Sequence, residues 1–279
     1  MFDVKMVVTD LDGTLLQADQ SISPADQKTL ERLGILGLCR VAATGRNLYK
    51  VRLVLNEESP FDYVIFSSGA GIMDWKTQKL IRSMSIPLDE TDEIIKYLIG
   101  ENYNFKVSRM LPDNHNFGWW ESYECPELTR YVEHHKKFGE AVKIDPEKPF
   151  ASSQFLMFFP IESDQFEQVK VKIQKRFPDL SLIKTTSPLN SSYIWMEIFP
   201  NGVSKAHGIE EICRITGIAR ENTLGIGNDF NDLEMLEFTH HSYVVENAPE
   251  ELKIKYLNSL AHYEDGFSHA VNKHISHHP

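Results

Sequence analysis

The ten residues Val7-Val8-Thr9-Asp10-Leu11-Asp12-Gly13-Thr14-Leu15-Leu16 constrain this chain more than any other stretch. A β-type apolar run ends there in two aspartates one residue apart. Side chains alternate along a strand, so residues i and i+2 leave its end on the same side. Asp10 and Asp12 therefore converge on one small volume, and two carboxylates that close repel unless a cation or a shared proton lies between them. Gly13 permits a sharp turn, and Thr14 supplies a hydroxyl. The pattern suits a hard divalent ion with oxygen ligands. It equally suits a carboxylate nucleophile backed by a second carboxyl as acid and base. The plain alternatives are a solvated turn or a calcium loop. A helix-loop-helix calcium site would follow a helix and close on Glu, whereas here a strand precedes and the twelve-residue frame from Asp10 ends on Ser21.

The surrounding pattern predicts how that strand is embedded. Strand 4–9 is followed by a helix opening at Ser23-Pro24, with Ser23 as N-cap and Pro24 in the first turn. Strand 40–43, the turn Thr44-Gly45-Arg46, a helix through Leu48, Val51 and Leu55, and strand 63–66 come next, ending at Ser67-Ser68-Gly69. This βαβαβ alternation predicts a parallel sheet with helices on its faces. From about Ile81 the texture changes. Helices are expected at 91–99, 127–138 and 165–176 and a strand at 155–159, with 102–123 rich in Asn, Asp, Pro and aromatics. The alternation returns with strands 195–199, 223–226 and 242–245 and helices 204–216, 232–238 and from Glu250. The expected fold class is α/β: a Rossmann-like parallel-sheet core of residues 1–83 and 193–279 with helices on both faces. An inserted α+β domain, 84–192, interrupts it.

Composition narrows the function classes. The chain of 279 residues is 42% hydrophobic and 25% charged, enough for a sizeable core. Its formal net charge of −11 argues against nucleic acid or an anionic membrane as partner, since both call for a basic patch. Cys39, Cys125 and Cys213 are scattered and odd in number, which points away from a disulfide framework or a zinc site. The first strand follows the initial residues without room for a signal peptide, and no apolar run approaches the ~20 residues of a membrane helix. A cytoplasmic protein is expected, as a monomer or weak homo-oligomer.

Asp10-Leu11-Asp12-Gly13-Thr14-Leu15 resembles the first motif of the haloacid-dehalogenase-like superfamily of phosphatases and phosphotransferases. Ala43-Thr44-Gly45-Arg46 resembles the second motif, and Asn201-Gly202-Val203-Ser204-Lys205 the third. Gly227-Asn228-Asp229-Phe230-Asn231-Asp232 resembles the fourth, acidic one. The long gap between the second and third is similar to the cap insertion of the Cof-type, sugar-phosphatase-like branch.

The resemblance implies roles. Asp10 is the nucleophile and Asp12 the acid and base. Thr44 binds a phosphoryl oxygen and Lys205 neutralises charge. Gly45, Arg46, Ser68, Gly69 and Asn231 line the substrate, a small phosphorylated metabolite with sugar phosphates foremost. Magnesium is held by Asp10, by the Asp12 carbonyl, and by Asn228, Asp229 and Asp232 of the fourth motif. Two departures stand out. Asn228 occupies the place where the family usually has Asp, leaving Asn228 or Asp229 as the ligand. Ser68-Gly69-Ala70 replaces the branch's frequent Asn-Gly-Ala.

Other signals are weaker. Gly69-Ala70-Gly71 is too short a glycine pattern for a dinucleotide site. His134-His135, His240-His241 and the tail from His274 to His278 read as solvated surface histidines. Trp119-Trp120 is either core of the insertion or a wall for a sugar ring. Arg109, His115 and Trp119 are the expected substrate contacts of the insertion. The resulting expectation is a magnesium-dependent phosphatase working through an aspartyl phosphate. The alternatives are a phosphomutase with the same nucleophile or a non-catalytic sugar-phosphate sensor. A phosphoaspartate receiver is about half this length and lacks Asp12 and the insertion.

Overall fold

In the computed structural model, which describes residues 4–275, the opening apolar run forms the strand β1 (Met6–Thr9). Then come α1 (Pro24–Ile35), β2 (Cys39–Ala43), α2 (Leu48–Arg52), β3 (Tyr63–Phe66), β4 (Gly71–Asp74) and β5 (Lys79–Ser83). The middle of the chain contributes α3 (Leu88–Gly100), β6 (Phe105–Ser108), β7 (Phe117–Trp120), α4 (Pro126–His135), β8 (Ala141–Lys143), β9 (Gln154–Pro160), α5 (Gln165–Arg176), β10 (Ser181–Thr186) and β11 (Tyr193–Phe199). The last part holds α6 (Lys205–Thr216), β12 (Thr223–Gly227), α7 (Leu233–Phe238), β13 (His241–Val244), α8 (Glu250–Lys255), β14 (Leu257–Asn258) and α9 (Gly266–Ile275). The chain divides into two units, one of residues 4–46, 51–82 and 204–275, the other of 47–50 and 83–203.

The first unit is built on an eight-stranded sheet in the order β14-β13-β12-β1-β2-β3-β4-β5. From β14 to β3 the strands are parallel, and β4 turns back antiparallel on β3. All four residues of β1 are buried, as expected of a parallel strand covered on both faces. Met6 and Val8 join Val41, Ala43 and Ile65 in one apolar cluster with Ile209 and Ile212 of α6 and Met235 and Leu236 of α7. The alternate residues face the other side, where α1 packs on β2 and on α9. Local signals set the helix ends. Ser23 Oγ accepts the Asp26 amide at 3.1 Å to start α1. Ser204 Oγ accepts the His207 amide to start α6, which stops at Gly217 in the left-handed conformation.

The second unit is a six-stranded sheet, β10-β11-β9-β6-β7-β8, antiparallel but for the parallel pair β7 and β8. One face packs Phe105, Val107, Phe155, Met157 and Ile198 against Ile94 and Leu98 of α3 and Phe166, Val169 and Ile173 of α5. The other face packs Leu156, Phe158 and Trp195 against Leu128 and Tyr131 of α4.

The strand expected at 195–199 as the return to the first sheet is β11, which lies between β9 and β10 in the second. There Trp195 pairs with Phe158 and Ile198 with Phe155. The second unit accordingly runs to Val203 rather than to residue 192. A buried apolar run announces a strand but not which sheet receives it. Among the described residues no helix is long and apolar enough to cross a membrane.

Candidate active site

Parallel α/β sheets gather ligands at the carboxyl ends of their strands. Here Asp10, Thr44, Ser67 and Asn228 directly follow β1, β2, β3 and β12.

Asp10 is fixed first by its backbone, whose amide donates to the Ile226 carbonyl of β12 at 2.9 Å. Its side chain is buried, and Lys205 Nζ donates to Asp10 Oδ1 at 2.7 Å and to Asp232 Oδ1 at 2.6 Å. The lysine side chain is fully buried in the first turn of α6. A cation is disfavoured there by the helix dipole, and two carboxylates compensate it. Burial pushes the Asp10 carboxyl up to about 8, with Asp232 and Asp12 adding to the rise and Lys205 opposing it. Burial works against the charge on Lys205, but Asp10 and Asp232 outweigh it and hold the ammonium above its ordinary pKa.

The turn after Asp10 is tight. The amides of Thr14, Leu15 and Leu16 all donate to the Leu11 carbonyl. Gly13 has φ +72°, and a Cβ there would lie 2.6 Å from Asn228 Nδ2. The Thr14 hydroxyl donates to Asn228 Oδ1 at 3.1 Å. Asp12 is half exposed and held by Arg46, whose Nε donates to Oδ2 at 2.6 Å and Nη2 to Oδ1 at 2.5 Å.

The acidic turn after β12 separates the three residues expected as ligands. Asn228 rests on the Gly13–Thr14 turn. Asp229 is the N-cap of a short 3-10 turn, accepting a backbone amide, and Asp232 answers it in a capping box. The fully buried Asp232 gives Oδ1 to Lys205 and Oδ2 to the amides of Asn228 and Asp229, at 2.8 and 3.1 Å. Among the described residues no three His, Cys, Asp or Glu side chains form a metal-binding group.

The other expected site residues lie on neighbouring strand ends. The Arg46 amide donates to Thr44 Oγ1 at 3.1 Å. Ser67 and Ser68 take left-handed φ of 48° and 54°, a conformation uncommon for residues with a Cβ. Gly69, at φ +108°, sits so close to α6 that a Cβ would lie 2.1 Å from the Ser204 carbonyl oxygen. A Cβ on Gly45 would be 3.5 Å from Ser68 Oγ and 3.7 Å from Asn231 Nδ2, so these three residues converge.

Residues of the second unit have other partners. Arg109 lies over the Phe150 ring at 4.1 Å, and His115 stacks on Tyr49 at 4.9 Å. Trp119 and Trp120 pack against the apolar clusters of the two sheet faces. His135, expected as a surface histidine, is buried, stacked on Tyr131 with a ring separation of 3.9 Å and bonded to Lys50. His241 contacts the His240 and His274 rings, while His277 and His278 lie outside the described residues.

Sequence reasoning missed Lys106 and Glu197, both buried, which flank Leu156 in one row of the second sheet. Burial pushes the Lys106 ammonium down to about 7; Glu197 opposes that and Lys50 adds to it. It also missed Asn247, whose Nδ2 donates to the Gly13 carbonyl at 2.8 Å. The only available signal was the Asn-Ala-Pro opening of the helix that follows.

The sequence profile of the haloacid dehalogenase-like hydrolases matches residues 7–271. An HMP-PP phosphatase of Serratia proteamaculans is 24% identical over 263 residues, covering 93% of this chain and 91% of its own length. A 5-amino-6-(5-phospho-D-ribitylamino)uracil phosphatase of Bacillus subtilis is 24% identical, covering 90% and 91%. Among solved structures, a phosphatase of the haloalkanoate superfamily from Bacteroides thetaiotaomicron superimposes with a TM-score of 0.78 at 20% identity, over 98% of this chain and 95% of that one.

Proposed function

The chain belongs to the haloacid dehalogenase-like hydrolases, and we propose that, as a phosphatase of that family, it hydrolyses small phosphomonoesters through an aspartyl phosphate on Asp10. The observation that carries this reading is the pairing of buried Asp10 with Lys205 at 2.7 Å beside a half-exposed Asp12. One carboxylate is immobilised and charge-matched as a nucleophile requires. The other is open to solvent as a proton carrier must be.

Phosphatases of this family generally use a divalent metal, typically magnesium. The oxygens gathered here fit such an ion. Asp10 Oδ, the Asp12 carbonyl and Asn228 Oδ1 would hold it, all hard donors. A short protein ligand set suits magnesium, which keeps several waters and shares itself with substrate phosphate. Asp229 and Asp232 act behind these ligands, through the capping box and the hold on Lys205. When bound, the ion neutralises phosphoryl charge and keeps Asp10 ionised.

The chain's own residues do the rest. An Asp10 oxygen attacks phosphorus as the ester P–O bond breaks, and Asp12 gives its proton to the departing oxygen. Asp12 then takes a proton from the water that attacks the phosphorus of the aspartyl phosphate, releasing inorganic phosphate and restoring Asp10. Lys205 and the Thr44 hydroxyl stabilise charge on the phosphoryl oxygens. Arg46 holds Asp12 in place. The relatives are named as phosphatases of HMP-PP and of 5-amino-6-(5-phospho-D-ribitylamino)uracil, which supports small phosphorylated metabolites as substrates.

The test is a panel of phosphorylated metabolites assayed with and without magnesium, for the wild type and Asp10→Asn. Magnesium-dependent phosphate release by the wild type and its loss in the variant are expected. Substantial residual turnover in Asp10→Asn overturns the mechanism. Transfer to a second sugar hydroxyl instead of water would make the protein a mutase.

A further inference from the structure

Asn247 is exposed, yet both ends of its amide are engaged inside the first unit. Its Nδ2 donates to the Gly13 carbonyl at 2.8 Å. Its Oδ1 accepts the His262 amide at 3.1 Å and lies 3.0 Å from His262 Nδ1. Gln17 Nε2 in turn donates to the His262 carbonyl at 2.8 Å. These contacts close a ring, Gly13–Asn247–His262–Gln17, around the turn that begins at Asp12. Gly13 is held from two sides: Asn247 takes its carbonyl, and Asn228 Nδ2 occupies the space a Cβ would need. An exposed asparagine ordinarily satisfies itself with water. Here the protein fixes the Gly13–Thr14 peptide, the next one along from the Asp12 carbonyl, at the one residue of the turn with a left-handed φ.

We propose that Asn247, steadied by His262, is a positioning residue for the Asp12–Gly13 turn, setting the direction of the Asp12 carbonyl and side chain. The inference rests on the function proposed above for Asp10 and Asp12. Asn247 touches neither substrate nor reacting atoms and acts only through the Gly13 peptide. The donor end of its amide is the essential end, because it alone reaches Gly13.

Asn247→Asp is nearly isosteric and keeps an acceptor for the His262 amide, but sets an oxygen against the Gly13 carbonyl. Asn247→Ala removes both ends. Three measurements on the full chain decide: kcat and KM with p-nitrophenyl phosphate, magnesium affinity by calorimetry without substrate, and thermal unfolding without metal. Groups that orient metal ligands typically change affinity or activity about 10–100-fold. Both variants are expected to lose about tenfold or more in kcat and in magnesium affinity, with KM nearly constant, and Asn247→Asp is expected to be the worse. Folded variants with wild-type magnesium affinity and kcat overturn the proposal. So does a fall in melting temperature alone, which marks a merely structural contact. A wild type inactive on every phosphate ester would instead overturn the function proposed above, and calorimetry would still decide the role of Asn247.

Discussion

Arg46 grips both carboxylate oxygens of Asp12 through two parallel hydrogen bonds of 2.6 and 2.5 Å, although Asp12 is half exposed. An exposed ion pair contributes little to stability, but this two-point geometry restricts where the carboxylate points. Arg46→Ala is therefore expected to leave the melting temperature within a few degrees of wild type and to lower kcat about tenfold or more. Arg46→Lys should not rescue it, since an ammonium cannot make the fork. Steady-state kinetics on one phosphomonoester checks both, and full activity in Arg46→Ala would remove Arg46 from the mechanism.

Asn228→Asp tests the proposed metal position. A carboxylate in place of the amide can still accept the Thr14 hydroxyl, and it adds charge beside Asp10 and Asp12. Tighter magnesium binding is expected, together with a lower melting temperature without metal because a third carboxylate joins the cluster. Calorimetry and thermal unfolding give the two numbers. Unchanged magnesium affinity would place the ion elsewhere.

The raised pKa of Asp10 has a sign that can be measured. Without metal, folded Asp10 keeps its proton up to about 8, whereas an unfolded aspartate loses it near 4. Between those values the folded state binds more protons, so this group's contribution is fully present below pH 4 and is lost as pH rises to 8. The metal-free protein should lose stability over that window, Asp10→Asn should lose less, and magnesium should stabilise the wild type most at the alkaline end. Melting curves at pH 5, 6.5 and 8 read all three, and parallel pH profiles for wild type and variant would contradict the assignment.

Gly69→Ala should be among the most damaging small substitutions in the first unit. Its φ of +108° strains any residue with a Cβ, and the new carbon would fall 2.1 Å from the Ser204 carbonyl oxygen. A loss of at least about 2 kcal/mol is expected, with kcat falling because α6 carries Lys205 in its first turn. Chemical denaturation together with a kcat measurement checks it.

The placement of the candidate site at the strand ends was legible because each piece carries a local signal. A strand that ends in Asp-x-Asp-Gly has few placements for its carboxylates, and Ser23-Pro24 and Ser204 mark helix starts by hydrogen-bond chemistry. Long-range choices were not legible. Nothing in the run from Ile194 to Phe199 distinguishes the sheet it joins. The strands β6 and β7 hid in a stretch whose Asn, Asp and Pro residues announce turns, and at four residues each they are too short for an alternating pattern to stand out. Asn247 was not legible either, because a hydrogen bond to a carbonyl 234 positions earlier leaves no trace in spacing. The chemistry of Arg109 and His115 suits hydrogen bonds to a substrate, and in the fold each lies against an aromatic ring, Phe150 and Tyr49.

The place of β1 between β2 and β12 also has a consequence for the order in which the chain is made. Its β2 partner leaves the ribosome soon after it, but the β12 partner begins only at Thr223, after the whole second unit has been synthesised. Until then the central strand has an open edge, and Lys205 has no Asp232 to pair with. The second unit, whose six strands all lie between residues 83 and 203, has all its sheet partners in hand earlier and can close first. Truncated chains ending before residue 223 therefore carry a finished insertion on an unfinished sheet. The charge-paired centre of Asp10, Lys205 and Asp232 therefore draws on three stretches of chain and is complete only once the last of them has been made.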